Sequence, residues 1–551
     1  MKRDLEQLQT TTFDLAVAGG GIHGATIAAL AAACGLSTLL LERGDFCGAT
    51  SANSLKILHG GLRYLQHLDL PRIRDSIVSR RWMMANFPDL VEPLPCVMPT
   101  SGRGLRSRGV MALGLLLNDL FSCTRNRGLP LGRRLGRGRV ISAAACARII
   151  PGFDPSLHTG GAVWHDALAL NPERIVLDLV NRLSELGGAA ANYVSLRSIS
   201  DEDGCKLLEC EDEEGNGPFQ VRARWLVNAT GPGCAQFAEL QRELAPICSG
   251  WSRAVNLVVK PRLFSGYGVG LEGQSSFVDQ DAVIQKGKRL FFFVPWRGKT
   301  MIGTVYSPHP DPSQAPEISR EELCAILEEV NQINPQARLR YQDISLIHIG
   351  LMPSIPLENG GPFDVQLDKK AALVDHGALG GSPRVLTVKT VKYTTAFSLA
   401  SQVMAHLAGQ GLALEPQWRA RIRSLMPEAA GPGAVKELPG YLLRRYGRQA
   451  ARVYPYLAPD RGGQVVKPPV EEPEPVDQGE IRYAVAEEMA LHLEDILFRR
   501  TDLATAAMVP QPLLEQCAAT MAELLGWDEE QQAAELRRVM DRLRPLDPGS
   551  S

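Results

Sequence analysis

No run of about 18 consecutive apolar residues occurs in this 551-residue chain, which argues against a membrane-spanning helix. No C-x-x-C pair occurs among its eleven cysteines, and an odd count without a framework reads as reduced thiols in a cytosolic setting. There is no excess of charge: 59 basic against 61 acidic residues leave a net charge of −2, so nothing pulls the chain as a whole toward nucleic acid. The opening "MKRDLEQLQTTTFDL" has no apolar h-region, so the expectation is a cytoplasmic chain without a secretory signal. No internal repeat is visible, and no metal site is assigned. With 45% hydrophobic and 22% charged residues, the composition is that of a soluble globular protein.

The most informative segment lies near the N-terminus. "FDLAVA" (13–18) is a short apolar run that leads into "GGGIHG", an Ala-rich run closing at Gly35, and then "STLLLERG". The pattern predicts strand, glycine turn, helix and strand, a compact βαβ unit with Gly35 as the helix C-cap. Within it, Gly19-x-Gly21-x-x-Gly24 is the dinucleotide fingerprint. The first glycine permits the tight turn, the second lets the backbone approach a diphosphate, and the third lets helix and strand pack closely. Glu42 ends the second strand, 18 residues after Gly24, where a carboxylate can accept from ribose hydroxyls. An acid there favours FAD or NAD over NADP. An NAD enzyme would continue with another βα unit. Instead "GDFCGATSANSLKILHGGLRYL" follows, a Ser/Thr/Gly-rich loop suited to wrapping a flavin. "WLVNATGP" (225–232) reads as a further strand, whose small residues Ala229, Thr230 and Gly231 can close over the dinucleotide.

Other segments differ. Residues 103–139 hold nine arginines against one acid, Asp119, around the apolar "GVMALGLLLNDLF". Two readings stand: a surface docking on anionic lipid, or a core helix whose arginines pair with acids elsewhere. Residues 236–345 alternate short strands with one charged helix, as in an antiparallel sheet covered by helices. "PEAAGPGAV" (427–435) reads as a linker, "PPVEEPEPV" as an irregular loop, and the remainder as helical.

These residues resemble the FAD-dependent glycerol-3-phosphate dehydrogenases and oxidases. The N-terminal segment through "KILHGGLRYL" is similar to the family's signature, "FFFVPWRGKTMIGT" (291–304) to its substrate-domain hairpin, and "TVKTVKYTTAFSLASQVMAHLAG" (387–409) to its last flavin segment. "YAVAEEMALHLEDILFRRT" and "MAELLGWDEEQ" are similar to its C-terminal helical domain. The resemblance implies an α/β fold: an FAD-binding Rossmann-like domain interleaved with an antiparallel-sheet substrate domain, plus a C-terminal all-helical domain. The FAD parts would be about 13–95, 155–235 and 345–426, the substrate parts about 96–154 and 236–344, and the helical domain 434–545.

It also implies oxidation of a secondary alcohol on a phosphorylated polyol, most simply sn-glycerol 3-phosphate, with hydride passing to flavin N5. Electrons would then go to a quinone or another acceptor, at a peripheral site on the cytoplasmic membrane face. An oligomer is compatible with the sequence. His59, Arg63, Tyr64 and Lys392 carry the implied catalytic roles, with Arg63 suited to a phosphate and His59 to proton transfer. Thr50, Ser51, Lys56, His59, Gly60, Val194, Lys392 and Thr394 join the fingerprint residues as implied flavin contacts.

The chain departs from the pattern at several places. Thr390 and Val391 stand where paired glycines are usual, Ala396 and Phe397 where a Tyr-Arg is usual, Met352 where a substrate-binding arginine is usual, Asn256 where a histidine is usual, and a further arginine near "VQLDKKAAL" is replaced at best by Lys369 or Lys370. Two other readings therefore stay open: a flavin oxidoreductase of the same family acting on another hydroxy or amine substrate, and a non-catalytic flavin-binding protein.

Overall fold

The computed structural model describes residues 1–61, 69–240, 247–277, 287–357, 365–426, 438, 440–457 and 476–543. The expected linker 427–435 and nearly all of the Pro- and acid-rich loop lie outside them.

Two sheets organise the chain. The first is built on five parallel strands in the order Ala189–Ala191, Thr38–Leu41, Thr12–Ala18, Gly217–Asn228 and Val385–Lys389, with Ala372–Asp375 antiparallel at one edge. Thr38–Leu41 is buried along its whole length, as suits a strand covered on both faces, whereas Gly217–Asn228 alternates until its last four residues. Helix Ile22–Ala33 packs on this sheet and against helices Pro172–Glu185 and Ala396–Gly409. Its alanines leave room for that crowding, and every helix residue except His23 is buried. Cys34 is the C-cap, and Gly35 follows it with φ +88°, a left-handed conformation that glycine adopts without strain.

The second sheet has ten strands and is antiparallel throughout, except where Gly268–Phe277 runs parallel to Val91–Thr100. Helix Arg320–Ile333 covers one face, its start fixed by a Ser319–Glu322 capping box. The C-terminal helices cover the other, with Trp296, Val258 and Leu346 packed among Leu493, Leu497 and Met521.

Four strands within the ranges assigned from sequence to the cofactor parts belong to this second sheet: Ile57–Leu58, Gly160–Ala169, Ile344–Ile355 and Gln366–Leu367. Gly160–Ala169 pairs along its whole length with Val91–Thr100, and Ile344–Ile355 pairs with Gly250–Val259. Long apolar strands without alternation look alike in the two sheets, because both sheets are covered on both faces.

Buried ion pairs fasten the C-terminal helices to the rest. Arg174 donates to Glu488 Oε2 at 2.9 Å, Arg445 to Glu480 at 2.7 Å, and Arg500 to Asp45 Oδ1 at 2.8 Å, every one of these side chains at most 1% exposed.

Candidate active site

A cavity of about 1980 Å³ runs between the two sheets, from Glu42 past the glycine turn to His59 and Trp164. Its first wall is the turn between strand Thr12–Ala18 and helix Ile22–Ala33. Gly19 has φ +106°, and a Cβ there would meet the Ala229 carbonyl oxygen at 2.6 Å. A Cβ on Gly24 would meet the Gly19 carbonyl oxygen at 1.8 Å, so Gly24 sets the approach of helix to strand rather than lining the cavity. Gly21 is the helix N-cap and offers no side-chain cap.

Glu42 is held by main-chain donors: Gly20 N–H at 2.6 Å and Gly44 N–H at 2.9 Å. Burial pushes its carboxyl above the usual range, against the pull of those two amides. Ser51 Oγ accepts from Ile22 N–H at 3.0 Å, and Thr50 Oγ1 donates to the Leu351 carbonyl at 2.9 Å, which ties the loop to the fingerprint helix and to the second sheet. Val194, Ala229, Thr230 and Gly231 line the cavity, as do Thr394 and Lys392, whose Nζ lies 3.3 Å from Ser76 Oγ. His23, beside the turn, carries a buried Nε2 without a partner, and burial lowers its pKa to about 4. Nothing in the fingerprint spacing singles that histidine out.

At the far end His59 meets Phe292 edge-on, with 5.7 Å between ring centres. Its Nδ1 lies 3.1 Å from Asp166 Oδ2. Asp166 also accepts from Gly60 N–H at 2.7 Å, Arg80 Nη1 at 2.6 Å and Trp164 Nε1 at 3.1 Å. Burial would raise the Asp166 pKa, but the His59 hydrogen bond and the charges of His59 and Arg80 hold it well below the carboxylate range. Sequence reasoning missed Asp166 and Arg80, since no local motif marks either.

Besides Gly24, two further residues expected as flavin contacts, Lys56 and Gly60, do not line the cavity. Lys56 is fully buried away from the cavity: its Nζ donates to Glu173 at 3.0 Å and sits 5.5 Å from the centre of the Trp296 ring. An ammonium that deep needs a carboxylate partner, and Glu173 supplies it. Gly60 faces Arg80, whose Nη1 would be 2.1 Å from an added Cβ, so its bareness makes room for a guanidinium. Arg63 and Tyr64 lie outside the described residues.

The departures from the family pattern can be located. Asn256 Nδ2 donates to the Asn53 carbonyl at 3.0 Å, and its Oδ1 accepts from Thr304 Oγ1 at 2.8 Å, so both ends of the amide are engaged. Met352 is half-buried and lines the cavity, as does Lys369, whereas Lys370 does not. Helix Arg108–Phe121 borders the cavity mouth through Val110, Met111 and Leu117. Among the described residues no group of His, Cys, Asp or Glu is placed to hold a metal ion, and no helix is long and apolar enough to cross a membrane.

Residues 14–381 match the family described as FAD dependent oxidoreductase, and residues 378–532 match the C-terminal domain of alpha-glycerophosphate oxidase. A parallel strand–turn–helix unit with its acid, opening on a long cavity between two sheets, is the architecture of a flavoprotein. The chain belongs to the FAD-dependent oxidoreductase family, and its cofactor is FAD. It is similar to a glycerol-3-phosphate dehydrogenase of Synechocystis sp., 26% identical over 558 residues and covering 96% of each chain. It is 28% identical over 502 residues to an aerobic glycerol-3-phosphate dehydrogenase of Escherichia coli, covering 89% of this chain and 94% of that protein. Its fold matches a solved glycerol-3-phosphate dehydrogenase of Bacillus halodurans complexed with FAD: TM-score 0.71, 22% identity, 99% of this chain and 97% of the other.

Proposed function

We propose that this chain oxidises the secondary hydroxyl of sn-glycerol 3-phosphate to the ketone, dihydroxyacetone phosphate. The observation that carries the reading is the pairing of His59 with buried Asp166 in the same cavity whose other end is the glycine turn. The residues present fit FAD. A helix start whose N-cap, Gly21, brings no side chain suits a diphosphate, although the Ile22 N–H is already taken by Ser51, Glu42 suits ribose hydroxyls, and a Cβ on Gly231 would meet nothing within 4 Å, which leaves space against the end of its strand. On this reading Gly19, Gly21, Glu42, Thr50, Ser51, Val194, Ala229, Thr230 and Gly231 hold the nucleotide half, and His59, Lys392 and Thr394 border the ring.

When bound, FAD supplies the two-electron acceptor for the carbinol hydrogen. The protein's part is to place the alcohol and take its proton. His59 Nε2 receives the hydroxyl proton, and Lys392 offers the phosphate a point charge. Phe292 and Trp164 wall the reacting end.

Met352 and Asn256 favour a second reading, a hydroxy substrate with less negative charge, because neither side chain can pair with an anion. Loss of one charge-assisted contact weakens binding by about 1.5–3 kcal/mol. Anaerobic mixing separates the two. Bleaching of the oxidised-flavin band by sn-glycerol 3-phosphate supports the first; bleaching only by uncharged hydroxy compounds supports the second. A flavin that no hydroxy compound reduces would overturn both.

Helix Arg108–Phe121 is read as a peripheral membrane contact. Its Leu113, Leu116 and Leu120 are at least 57% exposed, and only Leu115 is buried. The arginines of 103–139 complement anionic lipid. The cavity reaches this helix, which offers a quinone in the bilayer a route for electrons.

A further inference from the structure

We infer that Asp166 is the positioning residue of the site: it fixes His59 as the Nδ1–H tautomer and so keeps the Nε2 lone pair for the substrate proton. The inference rests on the reading of His59 as proton acceptor given above, and it follows from counting donors. An ionised carboxylate has about four acceptor sites and no hydrogen to give. Three groups around Asp166 can only donate: Gly60 N–H at 2.7 Å, Arg80 Nη1 at 2.6 Å and Trp164 Nε1 at 3.1 Å. The Arg80 guanidinium is fixed in turn by the His165 carbonyl at 3.0 Å, so it stays against the carboxylate. With these neighbours Asp166 remains an anion. The fourth contact, to His59 Nδ1 at 3.1 Å, is then a hydrogen bond only if Nδ1 carries the proton. A neutral His59 therefore has its hydrogen on Nδ1, and Nε2 is an acceptor with no protein partner among the described residues.

The same buried carboxylate also sets where His59 stands. Its Oδ1 holds the amide of the next residue, Gly60, while Oδ2 holds the ring. One side chain from strand Gly160–Ala169 thus clamps both the backbone and the imidazole of residues 59–60. Asp166 is 4% exposed and touches no substrate in this role; it acts only through His59.

Asp166→Asn tests this because it exchanges the demand. The amide oxygen must stay toward Gly60 and Arg80, which leaves the NH₂ facing His59 Nδ1 and deprives the Trp164 N–H, which shares that position, of its acceptor. That nitrogen becomes the acceptor, and the hydrogen moves to Nε2. The first measurement is long-range ¹H–¹⁵N NMR on histidine-labelled wild-type holoprotein, with the His59 signals identified by their loss in His59→Gln. The expected result is the Nδ1–H tautomer in the wild type and Nε2–H in Asp166→Asn. The second measurement is kinetic: a loss in kcat of about 10²–10⁴-fold with KM changed less than threefold and FAD content unchanged. Nε2–H in the wild type overturns the inference, and needs no variant to fold. An Asp166→Asn variant that keeps Nδ1–H, or keeps full kcat, overturns it too. If sn-glycerol 3-phosphate proves not to be the substrate, the tautomer still decides between these outcomes, so failure of the functional reading is seen separately.

Discussion

Arg500 reaches across 455 positions of the chain to donate to Asp45 at 2.8 Å, and Asp45 sits three residues after the acid of the nucleotide fingerprint. Arg499 pairs with the same carboxylate, and Asn192 Nδ2 donates to it at 3.0 Å. The C-terminal helical segment is thus pinned directly to the loop that follows Glu42. Removing the anion takes from both buried guanidinium groups their shared carboxylate, leaving Arg499 with Asp495 and Arg500 with the Glu488 carbonyl. Asp45→Ala is expected to destabilise the protein by about 3–5 kcal/mol, seen as a lower midpoint of flavin release on heating. An unchanged midpoint would mean that the pair is replaceable by water.

Gly24 tests the packing of the fingerprint helix. A Cβ there lies 1.8 Å from a backbone oxygen that cannot move without the turn itself. Gly24→Ala is expected to give colourless or insoluble protein. Gly109→Ala, where an added Cβ meets nothing within 4 Å, is expected to purify yellow at the wild-type ratio of flavin to protein. Equal flavin content in the two variants would contradict this account of the turn.

His492 links the C-terminal helices to the first sheet, with Nε2 at 3.0 Å from Glu214 and Nδ1 at 2.9 Å from Glu535. Burial disfavours its charge, but Glu535, Asp495 and Glu214 outweigh that and raise its pKa to about 9, with Arg538 and Tyr193 also against the ring. A basic group raised on folding stabilises most where both states are protonated. Its contribution, up to about 3 kcal/mol, is present below pH 6.5 and is lost as pH rises through about 9. Thermal midpoints should therefore fall between those values in the wild type, and fall less in His492→Asn. Parallel slopes in the two proteins would exclude His492 as the source.

Leu116 and Leu120 are 66% and 65% exposed on helix Arg108–Phe121. If that face meets lipid, Leu116→Glu/Leu120→Glu should abolish sedimentation with phosphatidylglycerol vesicles while flavin content stays at the wild-type level. Wild-type binding should weaken as salt rises, because the arginine contribution is screened. Wild-type protein that ignores anionic vesicles at low salt would refute the membrane reading.

What could be read from the chain was contiguous in it. Strand, Gly19, Gly21, Gly24, helix and Glu42 occupy a single run of residues, and each glycine's task follows from local geometry. Asp166 was not legible, because its partners His59, Gly60 and Arg80 come from segments about a hundred residues earlier, brought to it by the antiparallel sheet. Lys56 shows the converse. It stands in the signature beside His59, but its charge is matched by Glu173, at the start of a helix that local reasoning cannot place next to it. Gly60 was read as bare backbone for a flat ligand, whereas its missing side chain accommodates Arg80. Strand Gly160–Ala169 falls in a range read as a cofactor part yet pairs in the second sheet, and a related reason hides this: a strand covered on both faces shows no alternation that would reveal its neighbours.

The most direct test of the account is a structure of the protein with FAD bound. It predicts the diphosphate against the start of helix Ile22–Ala33, the adenosine ribose at Glu42, and the flavin ring within contact of both His59 and Lys392. A flavin whose ring lies away from His59, or a diphosphate held anywhere other than at the glycine turn, would contradict it.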